Sequence, residues 1–361
     1  MRTIKAAVAH AFEEKLCIQD VNLAAPKPNE LEVTLEACAI CHSDITYLDG
    51  KWGGSLPAVY GHEAAGCISA IGKQVSGFNI GDPVIVTLIR SCGTCPSCCS
   101  GRPTGCEITY DGDFGPLTMP DGSKLHQAMA SGAFAERVVV SQTQVVKITD
   151  DVPMDVACLI ACGVITGVGA VVNTAQFRPG QDAVIIGVGG VGLNTIQGAL
   201  IAGARRIVAV DMLPEKLKVA TEFGATDTVL ASVDKPWLAA IAALGRGADA
   251  VFVPVGAAAA YTTAPNYLAL NGKVIMVGMP PTGALSTYEA SNFAAASQSM
   301  VGSKMGDVVI QRDIPWIIDL YKQGRLKLDE LISGRWPLAQ INEAIVDTKT
   351  GSAKRNVIHF N

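Results

Sequence analysis

Four cysteines stand on one short stretch: Cys92, Cys95, Cys98 and Cys106, separated by two, two and seven residues. Thiolates at this spacing suit a closed tetrahedral zinc site with all-sulfur ligation. Four protein ligands leave no open coordination position, so such a zinc is structural and pins a loop that has no core of its own. Cys99 is out of register with the set. A second, dispersed group comprises Cys41-His42-Ser43-Asp44, Gly61-His62-Glu63 and, far along the chain, Ala161-Cys162-Gly163. Taken singly, each piece has a plain reading, since a lone histidine is more often core or surface than ligand and a lone buried cysteine is ordinarily inert. A third motif, Gly187-Val188-Gly189-Gly190-Val191-Gly192, fits G-x-G-x-x-G. Gly187 permits a tight turn, Gly189 lets the backbone approach a pyrophosphate, and Gly192 lets helix pack on strand. The helix N-terminus then faces the negative phosphates. A glycine-rich turn without a ligand is the alternative. Asp211, about 20 residues on, stands where a carboxylate accepts hydrogen bonds from the adenosine ribose hydroxyls and repels a 2′-phosphate. Met212 and Leu213 supply no compensating cation, so the spacing favours NAD over NADP.

These residues need elements to position them. At about 100–200 residues per domain, 361 residues suggest two domains. A hydrophobic share of 49% against 17% charged residues excludes a disordered chain. The net charge of −5 makes no electrostatic case for nucleic acid or an anionic membrane. Eleven cysteines cannot all pair within one chain, and a tight cluster in a reducing compartment means metal before disulfide. The longest apolar run, Val156 to Val172, falls just under the ~18-residue threshold for a membrane span and lacks aromatic flanks, so it reads as buried core. Met1 to Phe12 shows no signal peptide, which points to the cytoplasm.

The first 150 or so residues read as a β-rich region, with strands at Val33 to Ala39, Gly66 to Ile71 and Val84 to Leu88 and a strong turn at Gly81-Asp82-Pro83. The pattern then alternates. Strands are expected at Ala183 to Gly187, Arg206 to Val210, Thr228 to Leu230, Ala248 to Val253 and Lys273 to Val277. Between them fall helices at Val191 to Ala202, Pro214 to Phe223, Lys235 to Leu244 and Ala258 to Leu270. This alternation predicts a parallel doubly wound sheet. Helices at Pro315 to Gln323 and Pro337 to Thr348 and a strand at Asn356 to Phe360 close the chain.

Together these motifs make the chain resemble the zinc-dependent medium-chain alcohol dehydrogenases along essentially its whole length. Within that family it is most similar to the branch of glutathione- and mycothiol-dependent formaldehyde dehydrogenases and related bacterial alcohol dehydrogenases. The resemblance rests on Cys41-His42-Ser43-Asp44, Gly61-His62-Glu63, the four loop cysteines, Ala161-Cys162-Gly163-Val164-Ile165-Thr166-Gly167 and Gly187 to Gly192. It implies an α/β architecture: a GroES-like β-rich catalytic domain (residues 1–163 and 304–361) interrupted by a Rossmann NAD-binding domain (164–303), with the active site in the cleft between them. It implies two zinc ions per chain, one catalytic on Cys41, His62 and Cys162 and one structural on the loop cysteines. The catalytic zinc keeps a fourth place for water or substrate oxygen. Glu63 is expected close behind the metal, and Asp44 on the other nitrogen of His62, fixing its tautomer. Ser43 is expected to hydrogen-bond the substrate hydroxyl. His42 and Arg355 are assigned to the cofactor pyrophosphate, Lys216 to the adenosine ribose, Thr166 and Val191 to the nicotinamide ring, pressing it toward the substrate, and Val277 to the cofactor site. Trp52, Leu88 and Met279 are expected to form an apolar substrate wall, suited to an aliphatic or aromatic primary alcohol or aldehyde.

Two departures qualify the resemblance. Many relatives end a proton relay with a histidine where this chain has Thr46, which cannot store a proton. Enzymes acting on glutathione adducts carry an arginine in the loop after the fourth structural cysteine; here Cys106 is followed by Glu107-Ile108-Thr109-Tyr110-Asp111, and no arginine appears until Arg137. The expected activity is therefore NAD-linked interconversion of a primary alcohol and its aldehyde. The alternatives are a thiol-adduct formaldehyde dehydrogenase and, outside catalysis, an NAD- and zinc-binding redox sensor, which would be expected to lack a zinc ligand. Cys162 argues against a sorbitol-type enzyme, which usually has glutamate there, and Asp211 against an NADP-preferring cinnamyl-type enzyme. A homodimer is expected, with a homotetramer as the other assembly, and no nucleic-acid or membrane partner.

Overall fold

The computed structural model describes residues 1–360 and divides into two compact units. The first holds residues 1–162, 309–323 and 328 onward; the second holds 163–308 and 324–327. Residues 304–308 thus pack with the second unit, whereas the sequence reading grouped them with the first.

The first unit is built on two sheets. One runs in the order Leu117–Thr118, Cys17–Leu23, Arg2–Ala9, Ala58–Val59, His126–Gln127. The other runs Val145–Lys147, Pro83–Val86, Glu63–Ile71, Glu30–Ala39, Arg355–His359, Ile332–Pro337, with Arg137–Ser141 also paired to Glu30–Ala39. Glu30–Ala39 is the central strand. It is rich in Val, Leu and Ala and is almost wholly buried, as a strand covered on both faces must be. Its register matters for function. Ala39 pairs with Glu63 on one side and with Val357 on the other. One register therefore gathers Cys41, His62, Glu63 and Arg355 at one end of three adjacent strands. The apolar core of this unit includes Val33, Leu35, Ile68, Val86, Val138 and Ile358.

The apolar run of the sequence forms a continuous helical stretch, Met154–Thr174, whose most apolar window is 89% buried. It is a core helix. It is not regular: a wider π turn at Ile160–Val164 interrupts it, and a second occurs at Ala170–Thr174. Such single π turns re-aim side chains and often occur at functional sites. The first contains Cys162.

The second unit carries six parallel strands in the order Asp227–Leu230, Arg206–Asp211, Asp182–Ile186, Ala248–Val253, Leu268–Met276, Ser299–Gly302. Strand order reverses between Asp182–Ile186 and Ala248–Val253. Ligands of doubly wound sheets bind at this switch point, outside the carboxyl ends of the strands.

Three sequence expectations are corrected, and one element was not expected. The helix expected to reach Leu270 is Ala258–Thr263; Pro265 lacks the N–H to continue it, a 3-10 turn follows, and a strand begins at Leu268. The helix expected to open at Pro315 begins at Ile310, because the Asp313 carboxylate accepts the Val309 N–H (3.0 Å) and closes the first turn upstream of the proline. Pro337 ends a strand, and the last helix is Ile341–Thr350, stopped by Gly351 at φ +80°. The short helix His42–Leu48 had no periodicity to announce it.

Candidate active site

Cys41 leaves the central strand and caps the helix His42–Leu48. Asp44, on the first turn, is fully buried and accepts three N–H groups. Oδ2 takes the Cys41 amide (3.0 Å), and Oδ1 takes the Gly61 amide (3.0 Å) and His62 Nδ1 (3.1 Å). A carboxylate accepting from Nδ1 fixes the proton there and leaves the Nε2 lone pair for a ligand. Gly61 must be glycine. Its φ is +89°, and a Cβ at this position would lie 2.6 Å from the Phe134 backbone nitrogen. That close approach holds the segment before His62 against the Ala133–Phe134 backbone.

The Cys41 and Cys162 sulfurs, a His62 ring nitrogen and a Glu63 carboxylate oxygen all lie within 4.8 Å of one another, and all four residues are buried. His62 Nε2 is buried and has no hydrogen-bond partner, nor has Glu63 Oε1. Buried polar atoms are nearly always satisfied, so two orphans in one cluster are the signature expected of an ion site. Two thiols and an imidazole, with one coordination place left over, suit a catalytic zinc. The electrostatics agree. The hydrogen bond from the Cys162 thiol, helped by His62, holds Cys41 well below the ordinary thiol range despite burial. The same bond to Cys41, together with burial, pushes Cys162 up. Burial disfavours charge on His62, but the Asp44 carboxylate and Cys41 together outweigh it and raise the imidazole well above its usual value. Burial pushes Glu63 up to about 7, and Arg355 opposes the rise.

Arg355 has a partner that the resemblance did not name. The resemblance assigned it to the cofactor pyrophosphate. The structure buries it to 6% exposure, with its guanidinium donating to Glu63 Oε2. Its charge is first spent neutralising that carboxylate. Sequence reasoning missed this pair because the two residues lie at opposite ends of the chain and only sheet register joins them.

Cys92, Cys95, Cys98 and Cys106 also gather within 4.8 Å. Zinc–sulfur bonds of about 2.3 Å put the sulfurs of a tetrahedron about 3.8 Å apart, and Cys92 and Cys98 Sγ are 4.0 Å apart. The loop folds around its sulfurs. Cys92 Sγ accepts the Thr94 and Cys95 amides at 3.4 and 3.3 Å, and Cys95 Sγ the Cys98 and Glu107 amides at 3.5 Å each. Backbone donation, chiefly from Thr94, lowers Cys92 to about 6. Cys99 is exposed and directed at the Gly93 and Thr94 carbonyls. A third group, Asp111, Asp113 and His126, was not singled out from sequence; His126 Nδ1 lies 2.6 Å from Asp113 Oδ1 at the surface.

In the second unit the glycine motif joins the strand Asp182–Ile186 to the helix Gly190–Ile201. Gly187 has φ +99°. A Cβ on Gly192 would lie 2.0 Å from the Gly187 carbonyl oxygen, whereas a Cβ on Gly189 would meet nothing within 4 Å. The turn is therefore closed where helix meets strand and open where a pyrophosphate would approach. Asp211 ends the next strand; its Oδ2 accepts the Val188 N–H (2.9 Å) and its Oδ1 the Leu213 N–H (3.1 Å). The acidic residue thus also ties down the glycine loop. Lys216 is half-buried on the following helix, Thr166 is buried, and Val191 and Val277 are half-buried.

The remaining expected residues lie as follows. His42 is exposed, Ser43 is half-buried, and Thr46 Oγ1 donates to the His42 carbonyl at 2.8 Å. Trp52 packs edge-on against Tyr47, ring centroids 5.1 Å apart. Leu88 is half-buried, and Met279, in the second unit, is 64% exposed.

The comparisons agree with this chemistry. Residues 27–150 match the alcohol dehydrogenase GroES-like domain, and residues 190–323 match the zinc-binding dehydrogenase domain. The chain is similar to putative alcohol dehydrogenase D of Mycobacterium tuberculosis, 35% identical over 98% of both chains. It is similar to the probable S-(hydroxymethyl)glutathione dehydrogenase 1 of Schizosaccharomyces pombe, 33% identical over 99% of this chain and 97% of the relative. Among solved structures it resembles benzyl alcohol dehydrogenase from Acinetobacter calcoaceticus, with a TM-score of 0.94, 28% identity and full coverage of both chains. The chain belongs to the zinc-dependent alcohol dehydrogenase family. It is an alcohol and aldehyde oxidoreductase, and the sensor reading is set aside.

Proposed function

We propose that the enzyme interconverts an apolar, medium-sized primary alcohol and its aldehyde, with NAD as hydride carrier and no thiol co-substrate. One observation carries the reaction class: the Asp44-locked His62, whose buried Nε2 lacks a partner beside the sulfurs of Cys41 and Cys162. When bound, zinc supplies Lewis acidity toward the alcohol oxygen and NAD accepts the hydride. The protein's own residues do the rest. Cys41, His62 and Cys162 hold the metal; Asp44 fixes the imidazole; Arg355 keeps Glu63 neutralised behind it. Ser43 accepts the alcohol proton through its hydroxyl, which can take one proton while giving another. His42 or water finishes the path, because the Thr46 hydroxyl is engaged with the helix backbone. The Gly187–Gly192 backbone receives the pyrophosphate, Asp211 and Lys216 the adenosine ribose, and Thr166, Val191 and Val277 the nicotinamide. The second metal, on the loop cysteines, is structural.

Trp52, Leu88 and Met279 are apolar, which supports an apolar substrate. No lysine or arginine occurs from Glu107 to Ser123, and the nearby Arg90 is stacked on the Tyr110 ring at 4.6 Å and faces Glu30. The stretch Glu107 to Ser123 itself therefore offers no cation to a glutathione carboxylate. We further infer a cytoplasmic homodimer or homotetramer, supported by the family resemblance. The test is a panel of primary alcohols and aldehydes assayed with NAD, with and without glutathione or mycothiol. Turnover of benzyl or mid-length aliphatic alcohols without thiol is expected. Activity appearing only on adding thiol would overturn the reading.

A further inference from the structure

Gln144 is fully buried, and all of its amide valences are used. Nε2 donates to the Thr87 carbonyl (3.0 Å) and the Ala130 carbonyl (2.9 Å). Oε1 accepts the Ser141 amide (3.2 Å) and faces Arg90 Nη1 at 3.5 Å. Its main-chain carbonyl takes both the Thr87 N–H (2.9 Å) and the Thr87 hydroxyl (3.2 Å). Thr87 Oγ1 in turn accepts the Ile89 N–H at 3.1 Å. Apart from its capping bonds with Ser141, the bonds made by this residue converge on the short segment Thr87–Arg90 or on the turn beside it.

That turn is strained. Met129 and Ala130 are consecutive non-glycine residues at φ +50° and +54°. Such backbone persists only where its surroundings over-determine it, and it clusters at sites where position matters. Here two buried glutamines do so. Gln144 grips the Ala130 carbonyl, and Gln127 donates to the Ser131 carbonyl (2.9 Å). Ser131 Oγ then reaches back to the Thr87 carbonyl at 3.3 Å. What the network holds still is the backbone on both sides of Leu88.

We propose that Gln144 is a positioning residue: it fixes the Thr87–Arg90 segment, and so sets Leu88 as the wall that sizes the alcohol. This rests on the reading of Leu88 as a substrate contact. Without the Gln144 amide, the Thr87 and Ala130 carbonyls lose their common donor, the strained turn relaxes, and Leu88 is free to shift. Discrimination between small and large alcohols then weakens, while chemistry at the metal does not change.

The experiment compares kcat/KM for benzyl alcohol and ethanol in wild type, Gln144→Met and Leu88→Ala, with zinc content and NADH affinity measured alongside. Gln144→Met is expected to change the benzyl-to-ethanol ratio about tenfold, mainly through KM, with two zincs and wild-type NADH affinity retained. If Gln144→Met does not fold, Thr87→Val removes the other side-chain bonds that fix the segment, from the Thr87 hydroxyl to the Gln144 carbonyl and from the Ile89 N–H to that hydroxyl, and is expected to move the ratio in the same direction. A ratio that moves in Leu88→Ala but not in the tether variants overturns the role of Gln144 and leaves the substrate wall standing. A ratio unmoved in Leu88→Ala removes the wall itself, and the inference with it. Equal losses toward both alcohols in Gln144→Met also overturn it, because a merely structural residue would act that way.

Discussion

Asp44→Asn is the most informative single change at the metal centre. It alters one atom and little volume, yet Asp44 accepts three N–H groups and offers none. The asparagine amide must turn its NH2 toward one of them. The least costly orientation keeps the oxygen on Gly61 and His62 and directs the NH2 at the Cys41 N–H, now 3.0 Å from the carboxylate. One charge-assisted bond is lost and two donors face each other in a site with no exposure. By ordinary values for such losses the cost is about 2–4 kcal/mol. The effect on the metal is separate: removing the partner that orients a ligating histidine typically weakens binding about 10–100-fold. The assay is zinc content after dialysis against graded chelator, with urea denaturation and turnover on the same samples. Asp44→Asn is expected to surrender one zinc at about 10–100-fold less chelator than wild type while keeping the other. Turnover should fall in step with that loss, and the urea midpoint should drop. Wild-type zinc retention together with a wild-type midpoint would refute the reasoning, because it would mean that the three contacts neither stabilise the site nor orient His62.

Three further outcomes follow from the two ligand sets and the cofactor loop. Cys162→Ala should keep its fold but lose one zinc and nearly all turnover, whereas Cys95→Ala should lose the other zinc and chiefly destabilise the chain; one zinc per chain in fully active enzyme would refute both. Asp211→Gly should raise NADP use relative to NAD, as repulsion of the 2′-phosphate is removed, and should weaken NAD itself because Val188 loses its acceptor; equal use of both cofactors by wild type would overturn the argument. Ser43→Ala should cost about 10²-fold or more in turnover, Thr46→Ala little, and Thr46→His should raise alcohol oxidation near neutral pH; pH profiles of the three variants decide this, and a large loss in Thr46→Ala would contradict the hydrogen bond that engages its hydroxyl.

Much of this protein could be read without coordinates, for local reasons. A four-sulfur site on a short loop is a matter of spacing, and Cys92 to Cys106 meet because the intervening backbone is too short to do otherwise. A glycine motif between strand and helix works the same way, since every group it needs lies within one turn. The doubly wound sheet was legible because each strand and helix of a parallel unit carries its own hydrophobic pattern. Boundaries were legible where one residue dictates them, as Pro214 does at the start of its helix, and misjudged where competition decides. Pro265 ended a helix that alanine-rich sequence favoured, and Pro315 sat inside a helix that Asp313 had already closed upstream.

The catalytic constellation is of the other kind. Cys41, His62, Cys162 and Arg355 are distant in sequence, and periodicity and local spacing alone do not join them; family resemblance grouped the first three and assigned Arg355 to the cofactor. The pairing of Ala39 with both Glu63 and Val357 brings three of the four together, and an irregular helical turn contributes Cys162. The same holds for Arg355 on Glu63 and for Gln144 on the Thr87 and Ala130 carbonyls. Each is a buried polar group whose partners are supplied by other strands and turns, and whose burial makes those partners obligatory. Sequence alone determined which chemistries were present, because residue type and local spacing fix what a donor can bind. Tertiary structure decided which donors meet, because sheet register and burial are properties of the packed chain.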